Sequence, residues 1–145
     1  HIRTTFITGF PGETDEDFNE LAGFIEEQKF DRLGVFAYSR EEGTPAAEMP
    51  DQVDEEIKEQ RRDEIMAIQR EISLGGNISK VGRTLRVLVE EHCEDGTYMG
   101  RTEYDAPDID DGVIFTSDAE LETGTFVNVE ITDAFDYDLT GKAVM

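Results

Sequence analysis

Positive charge is scarce in this chain: 13 Lys and Arg stand against 35 Asp and Glu, for a net charge of −22 over 145 residues. Such a surface repels phosphate backbones and anionic lipid, and it suits a basic protein partner or none. Cysteine is scarcer still. Cys93 alone excludes a disulfide framework and any cysteine-based metal site within the chain, and a cytoplasmic location is the matching expectation. No apolar run approaches the roughly 18 residues that a membrane span needs, and no signal-peptide pattern precedes the first strand-like run. His1 stands directly before that run, so a piece of a longer protein is expected.

What is present is an uneven rhythm. Residues 2–10 (IRTTFITGF) are β-branched and aromatic, as in a strand. Pro11-Gly12-Glu13 then turns the chain, Thr14 suits an N-cap, and Asp15, Glu16 and Asp17 complement a helix dipole. Phe18, Leu21, Ala22 and Ile25 recur at helical spacing to about Lys29, and residues 32–38 (RLGVFAY) read as a second strand. Strand, helix and strand with short connections imply a parallel βαβ unit, which two strands cannot stabilise alone. The tail end of an α/β barrel is therefore expected. A second helix is predicted from Asp51 to about Leu74, with a thin stripe of Val53, Ile57, Ile65, Ile68 and Ile72, stopped by Gly75-Gly76-Asn77.

After Lys80 the period changes to two. Leu85, Val87 and Val89 share one face, Val127, Val129 and Ile131 another, and Tyr137, Leu139 and Ala143 line a last strand. Turn signals at Asp95-Gly96, Asp111-Gly112, Gly124 and Asp133 leave room for five short strands, the size of a small OB-like antiparallel barrel. The fold class is α+β, divided into 1–49, 50–79 and 80–145. Residues 1–79 hold 19 acids and 8 bases, and residues 80–145 hold 16 and 5, so each part stands at −11. That even spread leaves open a salt-adapted host as well as selection by a partner.

Three separated blocks, RTTFITGFPGETDEDF (3–18), FDRLGVFAYSREEGTPAA (30–47) and GRTEYDAPDIDDGVIF (100–115), resemble successive parts of the radical-SAM methylthiotransferases. They are most similar to the branch that modifies an aspartate of ribosomal protein S-twelve. The resemblance implies that residues 1–49 end a radical-SAM (β/α) barrel, that 50–79 form a linking amphipathic helix, and that 80–145 are a TRAM domain. It also implies S-adenosylmethionine and two 4Fe–4S clusters in the whole enzyme. The family's cluster cysteines are absent here, and ligation needs several thiolates, so this piece alone is expected to bind no cluster, to be inactive and to supply no catalytic or metal residue.

In similar barrels the first of these strands passes beside S-adenosylmethionine. Ile7 and Gly9 are thus candidate wall residues, Glu13 a polar contact, and Phe36 or Tyr38 a platform for adenine. The opposing reading is a strand–helix turn and ordinary core. In the 100–115 block, Arg101, Tyr104, Asp105, Asp108 and Asp110, with Pro107, are candidates for gripping the protein substrate through charge-assisted bonds and rigid apolar contact. Against that stands a structural loop in which Arg101 pairs with Asp105 or Asp108. His92 and Cys93 lack the remaining ligands of a metal site. The partner expected is the basic ribosomal protein S-twelve, with nucleic acid and membrane disfavoured and a monomer as the resting state. The tRNA-modifying sister branch and an inactive binding module are the alternatives.

Overall fold

The computed structural model describes residues 1–106 and 112–144, and the chain divides into two compact units, His1–Ile72 and Ser73–Met145. In the first unit, β1 (Arg3–Thr8), α1 (Asp15–Gln28) and β2 (Arg32–Ala37) form the βαβ unit. The strands pair parallel, from Arg3 opposite Arg32 to Thr8 opposite Ala37. Thr14 caps α1 reciprocally: its Oγ1 accepts the Asp17 N–H at 3.1 Å, and its own N–H donates to Asp17 Oδ2 at 3.0 Å. The bond from the Thr14 backbone, helped by that from its side chain, holds the Asp17 carboxyl below the usual aspartate range. Lys29 ends the helix in the left-handed region, its N–H returning to the Ile25 carbonyl.

Phe18 and Ile25 of α1 pack with Leu33, Val35 and Ile65, flanked by Phe6, Phe30 and Met66. Alternation along the strands gives the other sheet face to solvent. There Ile7 and Phe36 lie side by side in register and are 55% and 64% exposed.

The second helix, α2, spans Glu55–Ile78, so it starts later than predicted and runs through Gly75 and Gly76. Its buried line also differs from the predicted stripe. Ile57 is exposed, whereas Lys58, Arg61, Ile65, Gln69, Ser73 and Asn77 are buried at spacings of three and four. Burying polar side chains is tolerable because their ends find partners. Gln69 Nε2 donates to the Phe30 carbonyl at 2.9 Å. Within the second unit, Asn77 Nδ2 donates to the carbonyl of Phe135 at 2.9 Å, which holds helical a stretch that its glycines alone would end.

The second unit is a closed barrel of β3 (Thr84–Glu94), β4 (Thr97–Arg101), β5 (Val113–Thr116), β6 (Phe126–Ala134) and β7 (Leu139–Val144), in the order β3-β4-β5-β7-β6. Numbered within the barrel, this is the 1-2-3-5-4 order of an OB fold. Four pairings are antiparallel, and closure between β5 and β7 is parallel, a feature that turn signals do not carry. Leu85, Val87, Val89, Tyr98, Val113, Phe115, Val129, Ile131 and Leu139 fill the interior. The Tyr98 hydroxyl accepts the Leu121 N–H at 3.1 Å, so this large ring is buried with its polar tip satisfied. Tyr137, expected to line the last strand, precedes it and is 42% exposed.

Candidate functional site

Two groups of sequence-selected residues exist, one in each unit. The first surrounds the C-terminal ends of β1 and β2, where α/β barrels place their chemistry. Gly9 has φ +78, and a Cβ there would sit 2.8 Å from Lys58 Cβ and nearer still to Cγ. Glycine is therefore required both by backbone conformation and by the lysine stem packed upon it. The Gly9 N–H donates to Glu13 Oε1 at 3.0 Å, and Arg61 Nη1 donates to the same oxygen at 2.9 Å. Arg61 Nη2 reaches Asp15 Oδ1 at 2.8 Å. Burial opposes charge on Arg61, but hydrogen bonds to Asp15 and Glu13 outweigh it and raise its pKa above the usual guanidinium value.

Tyr38 is buried between Phe10, whose ring centroid lies 5.5 Å away edge-on, and Lys58, whose Nζ lies 5.1 Å from the ring centre. Lys58 Nζ also donates to Glu55 Oε1 at 2.6 Å. The Tyr38 hydroxyl has no hydrogen-bond partner among the described residues. Of the four candidates for cofactor contact, Gly9 and Glu13 are tied to each other and to α2, Tyr38 packs beside Lys58, and Ile7 lies on the open sheet face. The Tyr38 hydroxyl is thus buried without a partner among the described residues, Ile7 is bare, and Glu13 Oε1 is already engaged. Thr8, Lys58 and Arg61, which the sequence reading omitted, hold the group together. Thr8 is fully buried, with its Oγ1 donating to the Lys58 carbonyl at 3.2 Å. Nothing in a charge-dense helix distinguishes Lys58 and Arg61 from solvated neighbours.

For iron–sulfur clusters the residues present do not fit. Cys93 is the one cysteine and is exposed, and among the described residues no group of three or more His, Cys, Asp or Glu is placed to hold a metal.

The second group begins at the end of β4. Arg101 pairs across the strands with Glu90, Nε to Oε1 at 2.9 Å, rather than with Asp105. Asp105 is buried, and its Oδ2 accepts both the N–H and the hydroxyl of Thr102 at 3.0 Å. That places it inside the loop rather than on a face open to a partner: its carboxylate reaches back three residues as the acid of a capping box does, instead of serving as the docking acid that the sequence suggests. Tyr104 is half-buried beneath the Lys80 ammonium, 5.2 Å from the ring centre. Pro107, Asp108 and Asp110 lie outside the described residues. Asp105→Ala should destabilise the barrel by about 2 kcal/mol, because two donors lose their acceptor. Asp105→Asn, retaining one carbonyl oxygen, should lose less, and a urea titration separates the two.

This architecture defines a class: residues 81–144 match the family described as TRAM domain. Nearly the whole chain is also similar to proteins named ribosomal protein uS12 methylthiotransferase RimO. That of Clostridioides difficile (strain 630) is 56% identical over 143 residues, covering 99% of this chain and 32% of the relative. That of Desulforamulus reducens is 55% identical, covering 97% and 32%, and that of Anaeromyxobacter sp. (strain K) is 50% identical, covering 99% and 31%. The chain is thus similar over nearly its whole length to the C-terminal region of proteins of that name, and spans about a third of the length of these curated relatives. No helix among the described residues is long and apolar enough to cross a membrane.

Proposed function

We propose that the chain is the C-terminal part of a radical-SAM methylthiotransferase that adds a methylthio group to an aspartate of ribosomal protein uS12, with the TRAM barrel meeting the protein substrate. The observation that carries this reading is identity of 50–56% running almost end to end, through βαβ unit and barrel alike, with proteins of that name. On this reading residues 1–49 finish a larger barrel, 50–79 link, and 80–145 recognise the partner. The open face bearing Ile7 and Phe36 then turns toward the barrel interior, which accounts for two large apolar side chains in register and exposed.

S-adenosylmethionine and two 4Fe–4S clusters would supply the radical chemistry, and a single cysteine assigns cluster ligation to residues outside these 145. This chain's share is positional. Ile7 and Tyr38 offer an apolar wall and one unmet hydroxyl, while Gly9 and Glu13 keep that wall in place through Lys58 and Arg61. Tyr104 and Arg101 contribute to the substrate-facing side of the barrel, and Asp108 and Asp110, a few positions on in sequence, are further candidates for that contact. At −11 that barrel favours a cationic polypeptide over RNA, whose affinity comes largely from Lys and Arg on phosphates.

Direct competition tests the reading. With the chain immobilised near physiological salt, uS12 should bind at least about tenfold more tightly than tRNA, and should weaken as salt screens the pairing. Tighter binding of tRNA would transfer the assignment to the tRNA-modifying branch.

A further inference from the structure

The few cations of the barrel are not scattered. Phe126, Leu88 and Arg101 stand in register across β6, β3 and β4. Arg86 shares the outward face of β3 with Leu88, because Leu85, Val87 and Val89 take the inward one. With Thr102, Glu103 and Tyr104 they line a groove of about 470 Å³. Lys80 lies over the Tyr104 ring, so three of the five Lys and Arg residues in 80–145 gather around one groove. The floor is apolar: Phe126 is 58% exposed, and Leu88 is half-buried.

Arg86 is the telling residue. Its guanidinium carbon lies over the Phe126 ring, 4.0 Å from the ring centre, the separation of a cation held against an aromatic face. Stacking leaves the N–H edges of a guanidinium for hydrogen bonding. Arg101 has a carboxylate partner in Glu90, whereas among the described residues Arg86 has no ion pair, although acids outnumber bases in this unit 16 to 5. A stacked arginine above an apolar floor, unpaired amid such acidity, has the form of a receptor for an anionic group with an apolar neighbour.

We propose that this groove receives a carboxylate side chain of an otherwise basic polypeptide, flanked by an apolar residue that seats on Leu88 and Phe126. The carboxylate meets the Arg86 guanidinium, and the surrounding lysines of the polypeptide meet the net negative charge of the barrel. This rests on the protein-docking reading above and deepens it by naming what the partner must present. A polyanion fits worse, since every phosphate beyond the groove meets the barrel's −11 field, whereas a single carboxylate draws only on the local guanidinium.

Two synthetic lysine-rich peptides test it by calorimetry against the whole chain, one centred on Leu-Asp-Leu and the other on Leu-Asn-Leu. The aspartate peptide should bind about tenfold more tightly, the scale of one charge-assisted bidentate bond. Arg86→Gln, on an exposed face, should bring the two within about twofold and leave the asparagine peptide unchanged. Equal affinities for the unsubstituted chain overturn the groove assignment while leaving the docking reading intact. Failure of both peptides to bind removes the docking reading and the groove with it. Displacement of the aspartate peptide by an equimolar oligouridylate assigns the groove to nucleic acid and overturns the proposal.

Discussion

Arg61→Met is expected to lower the stability of the first unit by about 3–5 kcal/mol, the cost of leaving a buried carboxylate without its counter-charge. The side chains of Arg61 and Glu13 are only 9% and 12% exposed, whereas Asp15 is 97% exposed and contributes little. The loss therefore falls on Glu13, which keeps its bond from the Gly9 N–H but loses the guanidinium. Replacing both partners is far milder than replacing one. Glu13→Gln with Arg61→Met should recover most of the lost stability, because glutamine still offers Gly9 an acceptor and no longer carries buried charge. Denaturant unfolding, followed by amide exchange in β1 and α1, reads both variants. A single substitution as mild as the double one would show that the pair contributes nothing particular.

Gly100→Val should prevent the barrel from closing. A Cβ at Gly100 would lie 2.5 Å from Val87 Cγ1 and closer still to the Leu88 carbonyl oxygen. The obstruction includes backbone that is itself part of the β3–β4 ladder, so it has no flexible end to swing aside. Overpacking a tight core costs about 1–3 kcal/mol where side chains can adjust, and a backbone clash exceeds that range. The expected result is loss of the near-ultraviolet signal of the buried Tyr98 and cooperative unfolding at much lower denaturant. Gly124→Ala is the control, since nothing lies within 4 Å of its added Cβ, although φ +90 still gives it a modest cost. Equal behaviour of the two variants would refute close approach as the reason for glycine in β4.

The candidate sites were legible to different depths. Gly9 and Glu13 drew notice as a glycine and an acid between strand and helix, yet the residues that hold them, Lys58 and Arg61, come from nearly fifty positions away and look like ordinary surface charge. Asp105 was selected for its sign and turned out to be chosen for its reach: a short carboxylate three residues past Thr102 braces the loop from within. A count of five bases in the barrel argues against RNA, but a count is blind to register. Only pairing of β3 with β4 and β6 sets Arg86, Arg101 and Phe126 beside one another.

The order of strands and helices, the Thr14 cap, the inward faces of β3 and β6 and the acidic character all follow from neighbours within a few residues, where propensity, period and capping act. The polar seam of α2, the parallel closure of β5 on β7 and the stacked arginine above its groove do not, because each depends on groups dozens of positions apart. The buried Arg61 is met by Glu13 and Asp15, dozens of positions away, and such partners become neighbours through folding alone.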